Sequence, residues 1–175
     1  MAEVAQLLLE SGADPNATCK LYGGGATTMG LMLSSKHPRE AGQDGELVRV
    51  LARYGAKLDP DDFMCAIEYG MPLAVAAFVE AGAPIDNLFI AAGVGRIDVL
   101  KDQLSQGVDI NTRFRGQGTA LHAAAGVGQK EAAALLLERG ADTRLHNVWD
   151  ARPADTANFF GQTELAELIV KNTKF

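Results

Sequence analysis

Apolar positions along the chain recur at helical spacing in short blocks, and each block ends on a glycine. VAQLLLES runs into Gly12, LVRVLARY into Gly55, LAVAAFVEA into Gly82, VLKDQLSQ into Gly107 and AAALLLER into Gly140. A glycine just past a helix supplies the left-handed residue that ends it at little cost. Similar tails follow each one: GADPN, GAKLD, GAPID, GVDIN and GADTR. A second column marks the start of a shorter helix at Thr27, Asp61, Asp86, Thr119 and Arg152. Four of these five can accept a hydrogen bond from the orphan N–H groups of a first turn. Arg152 cannot, but Pro153 follows it, and at the first helical position a missing N–H is harmless. A third column, Gly70, Gly95, Gly128 and Gly161, predicts the turn between the two helices.

This is a repeat, and its period is uneven. The closing glycines stand 43, 27, 25 and 33 residues apart. The two short intervals lose their residues between the closing glycine and the next helix start, so the helices keep their length and a projecting segment is trimmed. The long interval gains residues in CKLYGGGATT and in SSKHPREAGQDG. Insertions in repeat proteins go to loops.

In TALHAAA (119–125), and more faintly in RPADTA (152–157), the unit resembles the ankyrin repeat, whose pattern is TPLHxAA followed by GHxEIVxxLLxxGADVN. The resemblance covers nearly the whole chain. It implies an all-α ankyrin-repeat solenoid of helix-turn-helix units, two with shortened β-turn fingers and one with insertions. The expected division is one domain over 1–175: a half repeat at 1–12, then repeats at 13–55, 56–82, 83–107, 108–140 and 141–175. The resemblance also implies that helices and fingers line a concave binding face. The finger before Thr119 departs from the family, with Phe114 and then GQG where an Asp that bridges fingers is usual.

The half repeat reads as a second helix without a first, which leaves an apolar flank uncovered. The expectation is a fragment of a longer array, or a second surface that covers the flank, including a second copy of the chain.

Composition narrows the partners. Of 175 residues, 47% are hydrophobic and only 6% aromatic, so packing runs through small residues. The net charge of −6, with no Lys/Arg block, would repel a phosphate backbone, so no nucleic-acid partner is expected. No apolar run reaches the ~18 residues of a membrane span, and no membrane partner is expected. The first residues carry Glu3 and Glu10 and lack a basic leader region. Cys19 and Cys65 form no ligand spacing and read as free thiols in a reducing, cytoplasmic setting.

Candidate chemistry is sparse. GGGATT (23–28) has no following Lys, as a phosphate loop requires. The acidic DPDD (59–62) fits a helix cap better than a cation loop. His122, three residues past Thr119, fits a structural role, while His37 stands without a nucleophile or ligand at fixed spacing. No HExxH or GxSxG occurs, and no enzyme, cofactor or metal is expected.

The most partner-like residues cluster in the last repeat. Val148 and Trp149 fall in its finger. Phe159 and Phe160 end its first helix, at two positions that the family turns toward the groove. Preceding repeats place Gly126 and Val127, Gly93 and Val94, and Glu68 and Tyr69 there. Large aromatics among small residues have the composition of a binding hot spot. Arg113 and Arg115 in the neighbouring finger would flank the patch and select an acidic or C-terminal group. The candidate protein-binding set is therefore Tyr69, Arg113, Arg115, Val127, His146, Trp149, Phe159 and Phe160. The competing reading is that Trp149 and the two Phe fold over one another to close the end of the stack. The expected function is a non-enzymatic protein-interaction scaffold. The alternative is a C-terminal regulatory or targeting ankyrin domain of a larger, enzymatic protein.

Overall fold

The computed structural model describes residues 1–19, 25–114 and 118–173. Among these residues there are twelve helices, which form two compact units: residues 1–66 with 71–84, and residues 67–70 with 85–175.

The first unit begins with α1 (Ala2–Glu10), which packs against α4 (Asp44–Arg53). Between them lie β1 (Thr18–Cys19) and β2 (Ala26–Thr27), paired antiparallel, then α2 (Thr28–Ser34) and α3 (Lys36–Glu40). α5 (Pro60–Glu68) and α6 (Pro72–Glu80) follow. Phe63 and Phe78 stack at 4.9 Å in the core, beside buried Met29, Leu33 and Val48. Buried Asp44 accepts the Ala74 N–H at 3.1 Å, which satisfies a first-turn donor of α6. Asn16 ties two tails together: its Oδ1 accepts the Lys57 N–H at 2.8 Å and its Nδ2 donates to the Gly55 carbonyl.

Two expectations need correction here. The insertion at 34–45 is not all loop. α3 forms within it, supported by a Lys36–Glu40 ion pair one turn apart and by burial of Pro38, which a first turn tolerates. The start of α5 also shifts. Pro60 opens the helix one residue earlier, and Asp59 ahead of it accepts two first-turn N–H groups: its Oδ1 takes Asp61 N–H at 2.9 Å and its carbonyl takes Phe63 N–H. Thr27 does cap α2, accepting from Gly30 N–H at 2.9 Å.

α1 buries none of its residues: Val4, Leu7 and Leu8 are each about 60% exposed. Leu135 and Leu136, which match Leu7 and Leu8 in the repeat, are buried.

The second unit is a two-layered array. α7 (Leu88–Val94), α9 (Ala120–Val127) and α11 (Pro153–Phe159) lie side by side. α8 (Ile97–Ser105), α10 (Lys130–Glu138) and α12 (Thr163–Lys171) pack behind them, each against its preceding helix. Alanine fills the seam; Ala91, Ala124, Ala133 and Ala157 have no exposed surface. Asn87, not the expected Asp86, caps α7 by accepting Ile90 N–H at 2.9 Å. At α11 the Asp155 carboxylate accepts Arg152 N–H at 3.0 Å, so the side chain that Arg152 cannot offer is supplied from within the helix. Asn111 Oδ1 accepts Asp142 N–H at 2.9 Å and joins consecutive tails as Asn16 does in the first unit. Phe114 packs its ring on Phe89 at 5.9 Å, and its N–H bonds the Gly118 carbonyl. Every glycine of the closing and turn columns has positive φ, between 58° and 92°.

Candidate functional site: an aromatic patch in the second unit

The finger that presents Trp149 is built by Asn147. Its Oδ1 accepts the N–H groups of Trp149 and Ala151, both at 3.0 Å, and its own N–H bonds the Ala151 carbonyl at 2.9 Å. Asp150 completes the turn in the left-handed region at φ 58°, which Asp tolerates better than most residues. The turn is then tied to α9. His122 Nε2 bonds the Ala151 carbonyl at 3.1 Å, while its Nδ1 receives Thr119 N–H at 3.1 Å. Both contacts fit the neutral imidazole with its proton on Nε2, and burial holds the pKa down at about 4. His122 is thus structural, and it positions the segment that carries Trp149.

The helix ends are less open than the pattern of small residues implies. Gly93 does not leave a vacancy, because Ile67 fills it: a Cβ on Gly93 would stand 2.5 Å from Ile67 Cγ2. The Phe160 ring lies over Gly70, where a Cβ would meet Cδ1 at 2.5 Å. Gly126 faces Thr156, the Ile67 carbonyl and Phe160. The groove positions of α7, α9 and α11 are therefore filled from within the unit by residues 67–70 and by Phe160.

What stays exposed lies around that closure. Trp149 is 55% exposed and meets Tyr69 at 6.2 Å with rings tilted by 44°. Phe159 is 83% exposed and stands edge-on to half-buried Phe160 at 5.0 Å. Val148 is also exposed, and Val127 is half-buried. Arg113 and His146 are exposed on the finger side; Arg115 lies outside the described residues. The structure thus joins Tyr69 to Trp149 and Phe159 to Phe160. It places the two Phe on each other and Trp149 on Tyr69, with Trp149 and Phe159 largely uncovered.

The sequence neighbour of Tyr69 was not in the candidate set. Glu68, beside Tyr69, is half-buried, and its Oε1 is enclosed without a hydrogen-bond partner. Burial raises its carboxyl pKa to about 7. Its signal in the sequence was a charged residue in a column that is otherwise Gly or Phe.

Among the described residues no cluster of His, Cys, Asp and Glu has the arrangement of a metal site, and no helix is long and apolar enough to cross a membrane.

These paired helices with glycine-closed ends and fingers define an all-α repeat protein. The family model for ankyrin repeats, in three copies, matches residues 88–175, and the chain belongs to the ankyrin-repeat family. It is 38% identical over 71 residues to alpha-latrocrustotoxin-Lt1a of Latrodectus tredecimguttatus, covering 40% of this chain and 5% of that protein. It is 32% identical over 93 residues to serine/threonine-protein kinase 12 of Arabidopsis thaliana, covering 51% and 20%. With potassium channel KOR2 of Oryza sativa subsp. japonica the figures are 36% over 75 residues, 43% and 10%. The chain matches only a small part of the length of each relative. Ankyrin repeats form a protein–protein interaction domain.

Proposed function

We propose that this chain is a non-enzymatic scaffold whose second unit captures a protein partner through Trp149, Phe159 and Val148. Tyr69 and Phe160 support these side chains, Arg113 and His146 are exposed on the finger side, and Arg115 remains part of the proposed set by its place in the sequence. The observation that carries the reading is exposure: Phe159 at 83% and Trp149 at 55% are the most exposed aromatic side chains among the described residues. Large aromatics exposed together are what hot spots are made of. End-closing is the weaker reading, since a residue that seals a stack is covered by it. The test is capture of the native partner by the wild type and by Trp149→Ala/Phe159→Ala. Loss of capture with unchanged thermal unfolding supports the reading. Equal capture by both proteins refutes it. Phe160 is the wrong choice for this test, because its ring packs on Gly70.

The repeat division given above and a cytoplasmic site of action belong to the same proposal; neither Cys19 nor Cys65 is in a disulfide, which suits a reducing compartment. Fractionation of the native host tests the location.

A second reading is favoured by the relatives. The matched region is a fraction of a protein kinase and of a potassium channel, so these repeats would serve as the regulatory or targeting part of a larger protein. An antibody against this region that detects only a species of about this chain's mass in the native host would refute that reading. Self-association through α1 is a third, motivated by exposed Val4, Leu7 and Leu8. Three or four such side chains cover far less than the ~800 Å² per partner of a stable interface, so α1 alone would give only a weak dimer.

A further inference from the structure

We infer that the two fingers of the second unit take an acidic segment of the protein partner, with a carboxylate held between Arg113 and His146. This rests on the protein-binding reading and names the charge of the partner. The placement comes from the register of the fingers. Phe114 N–H bonds the Gly118 carbonyl, and 33 residues further on Asn147 N–H bonds the Ala151 carbonyl, so the two fingers close through equivalent bonds. One imidazole touches both. A Cβ on Gly118 would stand 3.1 Å from His122 Cβ and Cγ, and His122 Nε2 bonds the Ala151 carbonyl at 3.1 Å. The finger bases therefore lie side by side. Arg113 and His146 each directly precede the residue that donates its finger's closing bond, which puts them at matching positions in neighbouring fingers.

Nothing in the unit pairs with either side chain. Both are exposed, and neither makes a hydrogen bond or ion pair among the described residues. Arg144 and Arg152, by contrast, are engaged by Asp142 and Asp155. The donors of the two closing bonds carry no charge that could neutralise their neighbours: Phe114 packs its ring on Phe89, and Asn147 uses its side chain on the Trp149 turn. Both cations do reach His122, where burial is the main cause of the low pKa and the charges of Arg113 and His146 add to it. His146 also acts on Asp155, which Arg152 already engages. The opposing acid is Asp150, exposed on the Trp149 turn itself, so a basic anchor there is the competing outcome. In a chain of net charge −6 an acidic partner needs a local cationic surface, and complementary charge fixes its register on the apolar residues beside it. Exposed Val148 and Trp149, in the same finger as His146, are those residues.

Trp149 is the only tryptophan in the chain, so its indole N–H resonance reports on this finger directly. The whole chain is titrated at pH 6.0 and low ionic strength with the blocked peptide acetyl-Glu-Glu-Leu-Phe-amide and with its Gln-Gln and Lys-Lys counterparts. Saturable shifts of the Trp149 indole and His146 ring signals are expected with the acidic peptide, fading as salt is added. Arg113→Gln is expected to weaken that binding by roughly fivefold, the upper scale of one exposed ion pair. Lys101→Gln, the same change of net charge at an exposed residue of α8, is expected to leave it unchanged. Thermal unfolding checks that both variants fold. Equal binding of the acidic and Gln-Gln peptides, tighter binding of the Lys-Lys peptide, or the same loss in Arg113→Gln and Lys101→Gln would overturn the inference. If partner capture depends on Trp149 and Phe159 while the acidic peptide fails, the inference falls and the protein-binding reading stands. If the acidic peptide binds through Arg113 while capture ignores Trp149 and Phe159, the anion site stands and that reading falls.

Discussion

The His122 network makes stability depend on pH in a way that can be worked out from the structure. The folded imidazole has a pKa of about 4, against an ordinary value near 6.5, because burial disfavours its charged form. Above pH 6.5 the ring is neutral in both folded and unfolded chains, and its contribution is complete. As the pH falls below 6.5 the unfolded chain binds a proton that the folded chain refuses, so stability is lost, and the loss levels off below pH 4. Linkage puts the loss at about 2 kcal/mol at pH 5 and about 3 kcal/mol at the limit. Glu68 works in the opposite sense. Its folded pKa is raised to about 7, so lowering the pH relieves a buried charge and adds stability. Whole-protein stability therefore mixes the two effects, and a variant is needed to separate them. Urea unfolding of the wild type and of His122→Asn is compared at pH 7.5 and pH 5.0. The wild type should lose about 2 kcal/mol more than the variant over that interval, with the carboxylates cancelling in the difference. The His122 ring signal, followed by NMR, should have its midpoint near pH 4. A midpoint near 6.5 together with equal losses in the two proteins would refute the buried neutral cap and, with it, the tie that holds the Trp149 turn.

Three more expectations follow from packing and capping. Gly70→Ala introduces a Cβ at φ 58° and 2.5 Å from the Phe160 ring, and should cost about 2–4 kcal/mol in chemical denaturation. Asp44→Ala leaves the buried Ala74 N–H without its acceptor and should cost about 1–3 kcal/mol, while Asp44→Asn, which keeps an acceptor oxygen, should cost less in the same assay. Leu8→Glu places a charge where the wild-type side chain is 58% exposed; it should change stability by no more than about 0.5 kcal/mol while abolishing any concentration dependence in sedimentation.

Much of the fold was legible because its signals are local. The glycines that close helices and turn between them were readable as columns, and each has the positive φ that such a position demands. Thr27 and Thr119 were recognisable caps for the same reason. The shifted starts, Pro60 for Asp61 and the Asn87 cap for Asp86, arose where adjacent residues can each begin or cap a helix. Sequence spacing alone does not choose among neighbours that can each do the job.

The site was legible only in part. Trp149 and Phe159 stood out by size, and they are exposed. That Trp149 would meet Tyr69, that Phe160 would lie on Gly70, and that Ile67 would fill the place left by Gly93 depended on residues far apart in the chain. A repeat sequence says which side of its helix a residue faces. The residue it meets on that side is fixed by how closely the small Ala and Gly side chains let successive helices approach, a sum over several interfaces. The sequence by itself therefore determined the repeat, its punctuation and the family. Only the tertiary structure decided which groove positions are filled from within, and that Glu68 Oε1 is enclosed without a hydrogen-bond partner among the described residues.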